Sequence, residues 1–125
     1  MLLTCESHYS RQRRSTLDPK QLVKNAKAAG YTAVGIADRM SLAGAYEFSQ
    51  AAAKEELTPL IGERLPYGTA LINGFITVHA MNEQGWFNLV GLNNRCHIRN
   101  GSGPLSVEDL VTFGEGIFVT SGGLD

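Results

Sequence analysis

The sequence predicts an α/β domain, a mostly parallel sheet with helices packed outside it. Strand-length apolar runs alternate with segments of helical period. One of those runs, Val34–Ala37, is continuously apolar, as a strand covered on both faces is. It ends on an acidic residue, Asp38, at the strand tip where α/β sheets usually place their chemistry.

Each element has its own warrant. Met1–Cys5 is short and apolar and reads as a first strand, followed by a polar, arginine-rich loop over Glu6–Thr16. Asp18-Pro19 is a helix start, since Asp caps and Pro suits the first helical position. Leu22, Val23, Ala26 and Ala29 then recur at helical spacing until Gly30 stops the helix. Tyr31–Ala37 is the second strand and Leu42–Glu56 a second helix, with Leu42, Ala45, Tyr46 and Phe48 or Ser49 inward. Leu57–Ile61 reads as a third strand, broken by Pro59 near its start. Ala70–Ala80 carries a fourth, Asn73-Gly74 marking a turn or bulge before Phe75–Ala80. Glu83–Cys96 is a third helix with Trp86, Leu89, Val90 and Asn93 on one stripe. Arg99–Pro104 is a loop, Ser106 caps a short helix over Val107–Phe113, and Ile117–Thr120 is the last strand.

Composition narrows the function classes. The 125 residues suffice for one domain, and 43% hydrophobic with 18% charged residues is a globular balance. A net charge of −1 gives no long-range field to capture nucleic acid, so any DNA contact must be local and weak. The local candidates are Arg11, Arg13 and Arg14, set against the reading of a solvated loop. Two widely spaced cysteines, Cys5 and Cys96, fit neither a disulfide scaffold nor a zinc motif, and a reduced, cytoplasmic setting is expected. No apolar stretch approaches the roughly 20 residues that cross a bilayer, and no membrane association is expected.

Six short motifs occur in a fixed order. They are Thr4-Cys5-Glu6-Ser7-His8-Tyr9-Ser10; Leu22–Gly30; Ala37-Asp38-Arg39; Ser41–Gly44 with Ile61–Leu65; Asn82, Gly85, Trp86, Asn88 and Leu89; and Glu115-Gly116-Ile117 through Ser121-Gly122. Together they resemble the polymerase and histidinol phosphatase (PHP) domain that opens the alpha subunit of bacterial DNA polymerase III. The DRxSLAG wording of Asp38–Gly44 is most similar to the error-prone alpha-subunit branch. The resemblance implies a distorted (β/α)₇ barrel about twice this length, of which residues 1–125 would be the N-terminal half. It implies DNA replication or repair synthesis as the setting, and other polymerase domains or subunits as partners.

Active PHP domains hold metal ions between histidines and carboxylates at their strand ends, which need donors within about 2.0–2.2 Å of each ion. The resemblance places Thr4 and Glu6 at the first pair of ligand positions, Asp38 and Arg39 at the second strand, Arg64 at the third and Phe75 at the fourth. Glu63 is displaced by one residue toward the other face. A guanidinium is a permanent cation where a metal needs a donor. The expectation is therefore a degenerate, non-catalytic site without metal or cofactor, in which Arg39 and Arg64 pair with Glu6, Asp38 or Glu63.

The alternative is a metal-dependent phosphoesterase or 3′–5′ exonuclease using Zn or Mn with Glu6, Asp38, Glu63 and His79. His8 and His97 are expected to be exposed, Cys5 to pack away from the site, and Gly122-Gly123 to form a turn. About five strands do not close a barrel. If Asp125 is the true end, open edges and apolar residues such as Phe75, Val78, Ile117 and Val119 predict a homo-oligomer.

Overall fold

A computed structural model describes residues 2–11, 15–69, 71, 73–98 and 103–121. Among these the order is β1 (Leu2–Cys5), α1 (Pro19–Ala28), β2 (Ala33–Arg39), α2 (Ala45–Lys54), β3 (Thr58–Gly68), β4 (Asn73–Ala80), α3 (Glu83–Ile98), α4 (Val107–Thr112) and β5 (Ile117–Ser121). The strands form one sheet in chain order. β1, β2 and β3 pair in parallel, while β4 is antiparallel to both β3 and β5. Four strands therefore run one way and β4 alone is reversed.

Local chemistry starts and stops the helices as the sequence suggests. The Asp18 carboxylate accepts from the Gln21 amide at 2.7 Å and Pro19 opens α1. Gly30, with φ at +84°, follows its end. Ser106 and Asp109 form a reciprocal capping box on α4. The Asn82…Gly85…Asn88 and Glu115-Gly116 motifs turn out to be one contact. The Gly85 amide donates to the Asn82 side chain at 2.8 Å, and Asn88 Nδ2 donates to the Glu115 carbonyl at 2.7 Å. A Cβ on Gly85 would lie 1.8 Å from the Gly116 carbonyl oxygen, so this helix-to-strand approach excludes any side chain.

Several expectations are corrected. β3 runs to Gly68 rather than stopping at Ile61, and it joins β4 directly as a hairpin, interrupting the strand–helix alternation. Its outer stretch gains pairing beyond β4, because the Pro66 carbonyl accepts from the Leu105 amide at 2.8 Å. The ladder through Tyr67↔Gly74 and Gly68↔Asn73 is continuous, so Asn73-Gly74 lies within the strand and is no bulge. Ala70 and Ile72 lie outside the described residues. β2 extends through Arg39, and α2 begins at Ala45 rather than Leu42. Tyr46 faces solvent (76% exposed), and the inner side of α2 is Ala45, Phe48 and Ala52. On α3 the fully buried positions are Leu89, Leu92 and Cys96, whereas Trp86 and Asn93 are half-buried.

Among the described residues, both clusters of buried apolar side chains lie on one face of the sheet. Val23, Ala26, Val34, Ile36, Phe48, Ala52 and Leu57 join α1 and α2 to β2. Leu65, Val78, Leu89, Leu92, Cys96 and Leu105 join α3 and α4 to β3 and β4. Val78, expected to be uncovered, is completely buried there; Val119 and Phe118 on β5 are 39% and 46% exposed.

Candidate functional site

Strand pleating assigns each strand-tip residue to a face. Asp38 aligns with Glu63 and Val78, on the same side as Ile36, Ile61 and Leu65, and so faces the helices. Arg39 aligns with Arg64 and Thr77 on the opposite, open face, with Phe75 and His79 beside them on β4. That face mixes small and polar residues with Phe75 and, paired to His79, the exposed Phe118. Thr4, Glu6, Ala37, Arg64, Thr77 and Ser121 line a hollow of about 190 Å³ there.

At the rim of this face two guanidinium groups share one ring. Arg39 Cζ lies 4.2 Å and Arg64 Cζ 5.3 Å from the Phe75 centroid, within cation–π range. Arg64 also pairs with Glu6, Nη1 to Oε1 at 3.5 Å. The other Glu6 oxygen accepts from Ser10 Oγ at 3.1 Å, and Ser10 Oγ in turn accepts from the Arg39 amide at 2.9 Å. Arg11 stands at the same rim, its amide donating to the Arg39 carbonyl at 2.9 Å.

The two buried carboxylates are held differently. Asp38 accepts from the Ser7 amide and, at 2.6 Å, from Ser7 Oγ. A Cβ on Gly44 would sit 3.3 Å from both Asp38 Oδ2 and Ser7 Oγ, and 2.9 Å from the Tyr9 ring, which is why the SLAG turn closes on a glycine. Burial raises the Asp38 pKa above its ordinary value, and the two Ser7 bonds oppose that shift. Glu63 is fully buried, with no hydrogen-bond partner for either oxygen among the described residues. Burial, and secondarily the Asp38 charge, pushes its pKa to about 8. Burial first and the Glu63 charge second push the Cys96 thiol to about 12, so it is no nucleophile at neutral pH.

Of the three carboxylates expected to meet arginine, then, Glu6 takes Arg64, Asp38 is held by Ser7, and Glu63 lies across the sheet from both guanidinium groups. Thr4 is exposed and lines the open-face hollow. His79 is buried on the open face, 4% exposed. His8 is exposed, but His97 is half-buried in α3, with Nε2 3.1 Å from the Met40 carbonyl oxygen. Arg13, Arg14 and Gly122-Gly123 lie outside the described residues. Ser7 and Ser10 belong to the first motif, Thr4–Ser10, but nothing local in the sequence signals their bonds to partners some thirty positions away.

Among the described residues no three His, Cys, Asp or Glu side chains converge to hold an ion. The open face offers the hydroxyls of Thr4, Thr77 and Ser121, the His79 imidazole, one carboxylate paired with arginine, two guanidinium groups and the Phe75 ring. No helix among the described residues is long and apolar enough to cross a membrane.

The family profile described as PHP domain matches residues 3–125. An error-prone DNA polymerase of Mesorhizobium japonicum is 31% identical over 106 residues, 82% of this chain and 9% of that protein. The DNA polymerase III subunit alpha of Buchnera aphidicola is 34% identical over 82 residues, 63% of this chain and 7% of that protein. The chain thus spans under a tenth of these relatives. Among solved structures, a protein assigned as a metal-dependent phosphoesterase from Bifidobacterium adolescentis superposes with a TM-score of 0.62 at 20% identity, covering 75% of this chain and 32% of that one. An amidohydrolase from Chromobacterium violaceum, with bound sulfate and no metal, gives 0.58 at 19% identity, covering 76% and 34%.

Proposed function

Since the chain belongs to the PHP domain family, we propose that it is a degenerate, non-catalytic PHP segment of a DNA polymerase III alpha-like protein of the error-prone type, acting in the cytoplasm in replication or repair synthesis. Residues 1–125 are then the N-terminal part of a longer barrel, and their role is structural: a module that packs against other polymerase domains or subunits. One observation carries the reading. Where the resemblance puts metal ligands stand Thr4, Arg39, Arg64 and Phe75, and both guanidinium groups are stacked on the phenyl ring. An arginine at a ligand position supplies positive charge but no lone pair, so it cannot ligate the metal ion that would activate water.

The competing enzyme reading needs Glu6, Asp38, Glu63 and His79 to converge. Glu6 and His79 belong to the open face, whereas Asp38 and Glu63 face the helices. Metal analysis of chain purified without chelator, with phosphodiesterase assays in added Mn or Zn, tests the proposal. The expected result is substoichiometric metal and no metal-dependent turnover. A stoichiometric ion, or turnover abolished by Asp38→Asn, overturns it.

A further inference from the structure

We propose that the groove between α1 and α2, rimmed by Lys20, Lys24 and Lys54 and walled by Tyr46, docks an acidic amphipathic helix of a partner protein. The inference rests on the reading of the chain as an interaction module, and it adds the surface used and the chemistry of the partner.

α1 and α2 pack side by side over the sheet and leave a trough of about 510 Å³ along their outer surfaces. Val23, fully buried, and half-buried Ala51 lie at its base. Tyr46 stands beside them with 76% of its surface exposed. That ring does nothing to pack α2, whose buried side is Ala45, Phe48 and Ala52. It also borders a second hollow of about 330 Å³ that reaches Leu42, Ile61 and Trp86, so apolar surface continues across α2. An exposed aromatic ring set against apolar hollows has the composition of an interface centre.

The rim of the trough is positive. α1 carries Lys20, Lys24 and Lys27 and no acidic residue. Their spacing of four and three puts these cations on one stripe, where like charges repel. Lys20 lies in the first turn, at the positive end of the helix dipole, the less favourable end for a cation. Lys27 is engaged, its Nζ donating to the Glu55 carbonyl at 3.0 Å. Among the described residues, Lys20, Lys24 and Lys54 are exposed and make no hydrogen bond or ion pair. The carboxylates along the trough do not neutralise them: Glu47 accepts from the Tyr9 hydroxyl at 3.0 Å, and Glu55 stands at the C-terminal end of α2. Folding thus gains nothing from three unpaired cations around an apolar trough, whereas carboxylates of a partner would meet them.

Shape and chemistry together select a helix. Each wall is a helix of 10 residues, about 15 Å long, which matches nearly three turns of a partner helix. Such a helix lays its apolar stripe on Val23, Ala51 and Tyr46 and turns flanking carboxylates toward the lysines. A free phosphate or a nucleic-acid strand would meet the lysines and leave the apolar base unfilled. The net charge of −1 adds no long-range attraction for nucleic acid.

Display selection on the 125-residue chain tests this, using random peptides about 15 residues long. Enriched peptides are expected to be acidic, with apolar residues at helical spacing. Fluorescence anisotropy then measures the most enriched peptide on variants of the chain. Lys24→Glu and Tyr46→Ala should each weaken it at least about tenfold, and Lys20→Glu and Lys54→Glu several-fold. Affinity should fall with added salt, and Val111→Ser, exposed on α4, should leave it unchanged. The same peptide with its acidic residues changed to lysine should prefer the Lys24→Glu chain to the parent, which separates charge recognition from loss of folding.

No enrichment, enriched peptides without acidic bias, or acidic peptides indifferent to the four variants overturn the docking site and leave the non-catalytic reading standing. Displacement of the peptide by oligothymidylate, with matching losses in the lysine variants, reassigns the groove to nucleic acid and overturns it too. Metal-dependent phosphodiesterase turnover overturns the proposed function without altering the outcome at the groove.

Discussion

The two faces of the sheet are built from adjacent residues and obey opposite rules. Asp38 and Glu63 turn one way and become buried beneath helices; Arg39 and Arg64, one position further along the same strands, turn the other way and remain at the rim. The helix-covered face has close-packed apolar side chains with two carboxylates among them. The open face has hydroxyls, guanidinium groups and a ring around hollows. A displacement of one residue thus transfers a charge from a solvated rim to a dry core, where its cost is set by desolvation instead of by its neighbours' charges. Stability should depend more on the covered face than on the open one.

The largest effect should come from the covered face's apolar core. Phe48 is fully buried between α1, α2 and β2, and Phe48→Ala should cost about 3–5 kcal/mol, read from urea unfolding. A cost below about 1 kcal/mol would show that α2 does not depend on this packing.

Next comes the dependence on pH. Glu63 has its pKa raised from 4.5 to about 8, so between those values the folded chain retains a proton that the unfolded chain releases. Stability should therefore fall as pH rises through that window and level off above it; the raised Asp38 pKa acts in the same direction. Glu63→Gln removes this titration and should exceed the parent chain by a few kcal/mol at about pH 9, the difference shrinking toward about pH 4. Urea midpoints across that range check it, and identical profiles for the two chains would mean that Glu63 is solvated.

Asp38→Ala should cost less, about 1–3 kcal/mol, because it strands the Ser7 amide and hydroxyl that the carboxylate now accepts from. Ser7→Ala alone should lose part of that cost, and a double-mutant cycle on the same unfolding measurement gives their coupling.

Much of this comparison is legible in the sequence, within limits that have physical causes. Helix starts at Asp18-Pro19 and Ser106 are local chemistry and appear where the residues predict them. The one-residue offset of Glu63 toward the helices is likewise visible, because pleating has a strict period of two. The β3–β4 hairpin is not, since Pro59 argues for a short strand while Leu105, distant in sequence, supplies pairing that extends it. Nor are the partners of Asp38 and Arg39 visible. Serines in a polar loop look the same whether they face water or hold a strand tip, and only the parallel pairing of β1 with β2 brings Ser7 and Ser10 to those tips.

The smallest expected effect lies on the open face and is the sharpest test of the contrast. The Arg64–Glu6 pair has the formal charges of a buried ion pair, but its contact is 3.5 Å and its side chains are 13% and 20% exposed. Water screens both partners, and Arg64 keeps its contact with Phe75 when Glu6 is neutralised. Glu6→Gln retains an oxygen able to accept from Ser10 and should change stability by no more than about 1 kcal/mol. A cycle with Arg64→Met should give a coupling of about the same size or smaller. A coupling above about 3 kcal/mol would place the pair in the energetic class of buried ion pairs. The open face would then hold the fold together as the covered face does, and the energetic contrast between the two faces would fail.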